Sequence, residues 1–229
     1  MLVAHNHANL LGGHASTFSV TFAAETFSDA TAAGLGIRVP DSMQRAVAKR
    51  KAEYVAGRFC ARQSMRGMIA DYDQDLATLP DRGPAWPVGI VGSITHTVGF
   101  ASAVTCSAQF ARGIGIDSER IMSDSAARSV RDSVLSTHDA RPDGMVLDDA
   151  VWTTLVFSAK ESVFKCLYPL VKKMFWFDAV GIEIVDADRG MFRATLLCDL
   201  SPDLHAGMRL EGSYQIDSSY VHTGILLAA

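Results

Sequence analysis

Cysteine is scarce in this sequence and is not arranged for metal or disulfide chemistry. The chain has only four, and they lie far apart without forming a C-x-x-C pair: Cys60, Cys106, Cys166 and Cys198. This pattern excludes the usual zinc and dithiol motifs, so we interpret all four as small buried apolar residues in a reducing compartment. His5 and His7 form a loose pair near the N-terminus, which we interpret as incidental rather than as a metal site.

Long hydrophobic runs and an excess of positive charge are also missing. No run of 18 uncharged apolar residues occurs, and the N-terminus lacks the basic and apolar regions of a signal peptide. We therefore expect no transmembrane segment and a cytoplasmic protein. The net charge of −4 is opposite to the basic excess of general nucleic-acid binders, so we expect no nucleic-acid partner.

The composition is that of a folded protein: 48% of the 229 residues are hydrophobic and 20% are charged. In the first half, the spacing of apolar residues predicts a long helix over 42–70, capped by Asp41 or Ser42. Two short strands, 99–106 and 112–117, are predicted to form a hairpin. The polar segment 121–149 is ambiguous between surface helices and loop.

The second half repeats the order of a helix followed by strands. A helix over 150–168 has a stripe of apolar residues at four-residue spacing, which predicts its buried face. Pro169 helps to end it. Four strands follow, at 180–185, 191–198, 208–216 and 220–227, and the turns between them imply antiparallel pairing. We therefore predict an α+β fold of two similar lobes joined near residues 110–120, each a long helix on a small, mainly antiparallel sheet.

Charged residues are concentrated at three places. Glu161 and Lys165 lie one helical turn apart, a spacing more often found in surface ion pairs than in catalytic sites. Asp117 and Glu119 follow an Ile-Gly-Ile run, and in an extended strand both carboxylates face the same side and suit Mg²⁺. The predicted helix 42–70 is strongly basic, which indicates either a solvated face or an anionic ligand.

The segment 89–96, Gly-Ile-Val-Gly-Ser-Ile-Thr-His, is interpreted as a loop that binds an anion. It lacks the G-x-S-x-G motif of hydrolases, and the glycines of 113–119 lack the third glycine of a dinucleotide site. Together with the carboxylates and the basic helix, this segment suits magnesium-assisted phosphoryl chemistry on a phosphorylated ligand.

Four motifs in this order resemble the 4'-phosphopantetheinyl transferases, most closely the bacterial siderophore-synthase branch of the enterobactin synthetase component D type. They span residues 57–169 and read GRFCAR, WPVG followed by GSITH, GIGIDSE and FSAKESVFK. One departure is Thr95, where the family usually has serine, and it keeps the hydroxyl.

The resemblance implies transfer of phosphopantetheine from coenzyme A to a serine of an acyl or peptidyl carrier protein, with release of adenosine 3',5'-bisphosphate. It implies a monomeric pseudo-dimer with lobes 1–113 and 114–229 and an active site in the cleft between them. Siderophore, nonribosomal peptide, polyketide or fatty-acid synthesis would be the setting. Two alternatives remain: an unrelated Mg²⁺-dependent phosphohydrolase, or a catalytically silent module that binds coenzyme A or a carrier.

The resemblance also assigns roles to individual residues. Mg²⁺ would be held by Asp117, Glu119 and Glu161, with Glu161 as the base for the carrier serine. Lys165 would stabilise the departing phosphate. The phosphates of coenzyme A would be bound by five residues of the first lobe: Arg58, Arg62, Arg82, Thr95 and His96. Candidates for carrier docking are Met65, Met68, Met122 and the segment 172–177.

Overall fold

The computed structural model describes residues 2–5 and 10–229 and divides the chain into two compact units, Met1–Phe110 and Ala111–Ala229. The division falls three residues before the boundary expected from the sequence. Each unit contains one antiparallel sheet and one long helix, which confirms the predicted α+β class. His7 lies outside the described residues. In the part that is described, no helix is long and apolar enough to cross a membrane.

The first unit is a four-stranded sheet covered by one long helix. Its elements are β1 (Leu2–His5), β2 (Ala15–Phe22), α1 (Asp29–Gly34), α2 (Ala48–Arg66), β3 (Ile90–Thr97) and β4 (Phe100–Ser107), and the strand order is β1-β2-β4-β3. Small residues such as Ala56, Cys60 and Ala103 fill the space between α2 and the sheet, so the helix lies close to it.

The predicted helix over 42–70 is shorter in the structure. Asp41–Met43 form a separate 3₁₀ turn, and Val47, with φ −62° and ψ 151°, precedes the first helical residue without a side-chain cap. Asp41 and Ser42 therefore do not cap this helix. The helix ends at Arg66, and the next residue, Gly67, packs closely against β2, since a Cβ atom there would lie 2.1 Å from Ser16 Oγ.

The second unit places its long helix on a five-stranded sheet. Its elements are β5 (Ala111–Arg120), α3 (Asp124–Val134), α4 (Asp149–Val171), β6 (Val180–Asp186), β7 (Met191–Leu196), β8 (Arg209–Ile216) and β9 (Tyr220–Ala228), in the order β5-β9-β8-β7-β6. The consecutive antiparallel pairing of β6 to β9 is as predicted. In α4 the predicted apolar stripe is buried at Leu155, Ala159, Val163 and Leu167.

Three local expectations are wrong. β4 and β5 do not form a hairpin, because β4 pairs with β2 and β3 whereas β5 pairs with β9 in the other sheet. The segment expected to be an anion-binding loop is the edge strand β3. Pro169 does not end α4, which continues to Val171 and stops where Lys172 adopts a left-handed conformation, φ 50°.

The cysteines match their interpretation at three of four positions. Cys60, Cys106 and Cys166 are buried thiols, whereas Cys198 is exposed, and all four are free. Burial raises the pKa of Cys166 to about 12, so this thiol remains protonated at neutral pH and acts as a packing residue.

Candidate active site

Two glycines bring α4 unusually close to β5. A Cβ atom at Gly113 would lie 2.5 Å from the carbonyl oxygen of Cys166, and one at Gly115 would lie 1.9 Å from that of Ser162. Only glycine permits this approach. Because side chains alternate along a strand, Asp117 lies on the same face of β5 as the two glycines and therefore faces α4.

Asp117 meets the helix at Lys165. The Nζ atom of Lys165 lies 2.6 Å from Asp117 Oδ1 and donates a hydrogen bond to it. The Asp117 side chain is 3% exposed and that of Lys165 is 27% exposed. A buried carboxylate is thus neutralised by a lysine whose side chain is partly exposed. Lys165 was expected to contact a phosphate, and here its partner is Asp117.

Glu161, one turn before Lys165 on α4, is partly buried and electrostatically linked to both residues. Burial raises the pKa of Glu161; the positive charge of Lys165 lowers this pKa, and the negative charge of Asp117 raises it further. The net shift is upward. A carboxylate whose charge is disfavoured in this way has an increased affinity for a proton or a cation, as a general base or a metal ligand requires.

Glu119 lies two residues beyond Asp117 on β5, opposite Val221 of β9, and is half-buried. The alternation of the strand puts it on the face of Asp117. Within residues 2–5 and 10–229, no three His, Cys, Asp or Glu side chains are grouped as they would be around a metal ion. The carboxylates of Asp117 and Glu161 nevertheless interact electrostatically, and carboxylate oxygens are the kind of donor that Mg²⁺ prefers.

The first unit has a cavity of about 460 Å³ lined by basic side chains. Three predicted phosphate ligands are among its lining residues, Arg58, Arg82 and His96, and Arg50 of α2 joins them. Arg50 was recognised in the sequence only as part of the basic helix. Its position eight residues, about two turns, before Arg58 is the signal that would have placed both on one face of that helix.

Arg58 is the most firmly held of these residues. Its Nη2 atom donates to Thr78 Oγ1 at 2.7 Å, its Nη1 atom lies 3.5 Å from the carbonyl oxygen of Ala77, and its guanidinium lies 5.2 Å from the centre of the Tyr54 ring. The side chain is thereby fixed before any ligand binds. A planar guanidinium in a fixed orientation suits bidentate contact with phosphate oxygens.

Thr95 and Arg62 are placed differently from His96 and Arg58. Thr95 is buried on β3 and, by alternation, lies on the opposite face of the strand from His96; it does not line the basic cavity. Arg62 lines a second cavity of about 570 Å³ that shares Arg58 and Arg82 with the first. Its guanidinium donates to the carbonyl oxygens of Leu35 and Gly36, so it also secures the segment after α1.

An apolar pocket of about 240 Å³ lies beside Glu161 in the second unit. Its lining consists of three residues of α4 followed by apolar residues up to the start of β6: Lys160, Glu161, Phe164, Met174, Phe175, Trp176, Phe177 and Val180. From the sequence, 172–177 is a candidate for carrier docking. The structure has no strand there, and only Phe175 of this segment is fully buried.

Two family models together match most of the chain. The 4'-phosphopantetheinyl transferase N-terminal domain matches residues 39–106, and the 4'-phosphopantetheinyl transferase superfamily model matches residues 113–221. The chain belongs to the 4'-phosphopantetheinyl transferases. It is therefore a transferase, of a family that uses coenzyme A as substrate and acts on carrier proteins.

Similar proteins support this assignment over nearly the full length. The 4'-phosphopantetheinyl transferase Svp of Streptomyces mobaraensis is 35% identical over 89% of this chain and 84% of its own length. The transferase PptT of Mycobacterium tuberculosis is 30% identical over 80% and 82%. Enterobactin synthase component D of Escherichia coli is 37% identical over 54% of this chain and 57% of its own length, so that similarity covers about half of each protein.

Proposed function

We propose that this transferase moves the 4'-phosphopantetheine group of coenzyme A to a serine hydroxyl of an acyl or peptidyl carrier protein. The carrier oxygen forms a bond to the phosphorus next to pantetheine, and the bond from that phosphorus to the bridging oxygen breaks. Adenosine 3',5'-bisphosphate leaves. The observation that supports this proposal most directly is the cluster of Asp117, Glu161 and Lys165. It occurs in a member of a family of transferases that act on carrier proteins.

We propose that Glu161 accepts the proton of the carrier serine hydroxyl. A serine hydroxyl is a poor nucleophile until a base accepts its proton, and an ideal base has a pKa near the working pH. The raised pKa of Glu161 supports this role better than an ordinary exposed carboxylate would. Lys165 then stabilises the negative charge of the departing phosphate, and the partial exposure of its side chain supports that contact.

Mg²⁺ is the metal we propose, held by Asp117 and Glu161 with Glu119 as the third ligand. When bound, it would neutralise and orient the pyrophosphate. Carboxylate oxygens are the donors that Mg²⁺ prefers. The test is carrier labelling after treatment with EDTA: we expect loss of activity and recovery on addition of Mg²⁺. Undiminished labelling in EDTA would remove the metal from the proposal.

The basic cavity of the first unit is proposed to bind the phosphorylated nucleotide of coenzyme A. Arg50, Arg58, Arg82 and His96 supply positive charge or hydrogen-bond donors around about 460 Å³, which suits several phosphate groups. The apolar pocket next to Glu161 is proposed to receive part of the pantetheine arm. The location of the active site between the lobes stays a prediction.

Carrier docking is proposed at the surface formed by Lys172, Lys173, Met174 and Trp176, which are all exposed. Trp176 is 73% and Met174 57% exposed, and large exposed apolar groups beside charges are typical of docking sites. Lys173 supplies charge complementary to an acidic carrier. Met65 is fully buried and is no longer a candidate, whereas Met68 and Met122 are half-buried.

We further propose that the protein is a monomer and that it works in the cytoplasm, and its four free cysteines support a reducing compartment. Similarity to enterobactin synthase component D favours siderophore synthesis as the setting.

Family membership removes the unrelated phosphohydrolase as an alternative. The silent binding module is disfavoured because Asp117, Glu161 and Lys165 form one interacting cluster.

A further inference from the structure

One buried carboxylate connects three elements of the second unit. Asp139 lies in the segment between α3 and α4, and its Oδ2 atom accepts a hydrogen bond from Lys160 Nζ at 2.8 Å. Its Oδ1 atom accepts from the Ile182 N–H of β6 at 2.8 Å. Lys160 Nζ also donates to the carbonyl oxygen of Val134, the last residue of α3, at 2.8 Å. The ion pair therefore ties α3, α4 and β6 together.

The rest of the segment reinforces this connection. Asp139 Oδ2 also accepts from the backbone N–H of Ser136 at 2.7 Å and from its hydroxyl at 3.0 Å. Ala140 adds to the edge of β6 through hydrogen bonds with Ile182 and Ile184. Both side chains of the ion pair are 1% exposed. A buried ion pair with this many hydrogen bonds has its orientation fixed.

We propose that Asp139 is a positioning residue of the transfer site, acting on Glu161 through Lys160. The inference rests on the proposed role of Glu161 as the base. Lys160 directly precedes Glu161 on α4 and lines the same apolar pocket. Holding the Lys160 ammonium at Asp139 fixes the turn of α4 that carries Glu161 and so orients that carboxylate towards the carrier serine.

The position of the ion pair along the sheet supports this role. At β5 the helix α4 is located by its close approach to Gly113 and Gly115. The Asp139 and Lys160 pair connects the same helix to β6 at the opposite edge of the sheet. Glu161 is thus carried by a helix that is held at both edges, and supporting residues of this kind set the precision of a functional site.

Lys160 and Lys165, the two lysines of the FSAKESVFK motif, therefore have different roles. The Lys165 side chain is partly exposed, whereas that of Lys160 is enclosed, with its ammonium already bonded to Val134 and Asp139. With both of these contacts satisfied inside the protein, the Lys160 ammonium is not presented to the phosphates of coenzyme A, although its side chain lines the apolar pocket. This distinction predicts that loss of Asp139 changes turnover and not coenzyme A binding.

The first test is Asp139→Asn, which keeps the shape of the side chain and an acceptor for Ile182. We expect a folded protein with kcat for carrier labelling reduced about tenfold or more and with KM for coenzyme A within about twofold of wild type. An unchanged kcat would overturn the proposal. So would a raised KM for coenzyme A at unchanged kcat, because Lys160 would then be a ligand contact.

A second variant pair separates positioning from stability. Lys160→Met leaves a buried carboxylate without its cation and should lower Tm by about 10 °C. Asp139→Asn combined with Lys160→Met removes both charges and should recover much of that Tm. We expect kcat of the double variant to stay low although its Tm recovers; recovery of both would show that the pair only stabilises the fold and would overturn the proposal.

The matched control is the ion pair of Glu183 and Arg193, 3.2 Å apart on β6 and β7, whose side chains are 52% and 29% exposed; Arg193 also contacts Glu211. Glu183→Gln combined with Arg193→Met should change neither kcat nor Tm appreciably. The proposed role of Glu161 as the base is tested separately. A Glu161→Gln variant with wild-type kcat would exclude Glu161 as the base, whatever the result for Asp139.

Discussion

Lys165 Nζ lies 2.6 Å from Asp117 Oδ1 and joins α4 to β5. From the sequence, Lys165 was expected to face Glu161 or a phosphate. Its pairing with Asp117 shows that one lysine neutralises a proposed metal ligand while it remains near the surface. The same cation therefore contributes to stability when no ligand is bound, and we propose that it turns to the departing phosphate during transfer.

Lys165→Met should weaken the fold and the reaction together. Removal of the cation leaves buried Asp117 without its ion-pair partner, so we expect the free energy of unfolding to fall by about 1–3 kcal/mol in urea titrations without metal. We expect kcat for carrier labelling to fall by at least about tenfold. Lys165→Arg keeps the charge and should retain most of the stability; unchanged kcat in Lys165→Met would remove Lys165 from the transfer step.

Glu161→Gln should increase stability at neutral pH when metal is removed with EDTA. Because the pKa of Glu161 is raised in the folded state, the folded protein holds a proton that the unfolded chain has lost, and stability falls as pH rises from the ordinary pKa of 4.5 through the raised value. Below pH 4.5 the two proteins should be equally stable. Urea titrations across this range measure the difference, and a less stable variant at pH 7 would contradict the assignment.

Arg58→Lys should impair binding of coenzyme A. Lysine cannot reproduce both the contact with Thr78 and the planar group above Tyr54, so we expect KM for coenzyme A to rise about tenfold. Lys49→Gln is the matched control, since Lys49 is exposed on the same helix and lines neither the basic cavity nor the second cavity beside Arg62. Equal KM values for Arg58→Lys and wild type would exclude Arg58 from the nucleotide site.

Lys173→Glu should act on the carrier and not on coenzyme A. Reversal of an exposed charge in the proposed docking surface should raise KM for an acidic carrier severalfold, more at low than at high salt. KM for coenzyme A should not change. Arg189→Glu, an exposed reversal in the turn between β6 and β7, is the control, and an equal effect in both variants would indicate a general charge effect and no docking site.

The features that could be predicted from the sequence are those set by local pattern. Helix α4 was placed to within three residues at each end because its apolar spacing is regular, and β6 to β9 pair in sequence. The pairing of β4 and β5 could not be predicted, because a short connection between two strands is usual for hairpins. Each strand instead pairs within a different sheet, where the burial of one face determines its register and partners.

Part of the candidate site could also be predicted from local pattern. Asp117, Glu161 and Lys165 could be recognised because they are charged residues at strand or helical spacing. The contribution of Arg50 was missed among many basic residues. Asp139 was missed because its partners on α4 and β6, Lys160 and Ile182, are 21 and 43 residues away in the chain. Long-range hydrogen bonds of this kind have no signal in local spacing.

Mass spectrometry of an apo carrier protein tests the central claim most directly. The carrier is incubated with coenzyme A, Mg²⁺ and either the wild-type chain or Glu161→Gln. We predict that the wild type adds the mass of one phosphopantetheine to the carrier serine and releases adenosine 3',5'-bisphosphate, whereas Glu161→Gln labels at least about a hundredfold more slowly. An unlabelled carrier with the wild type, or equal labelling by the variant, would contradict the account.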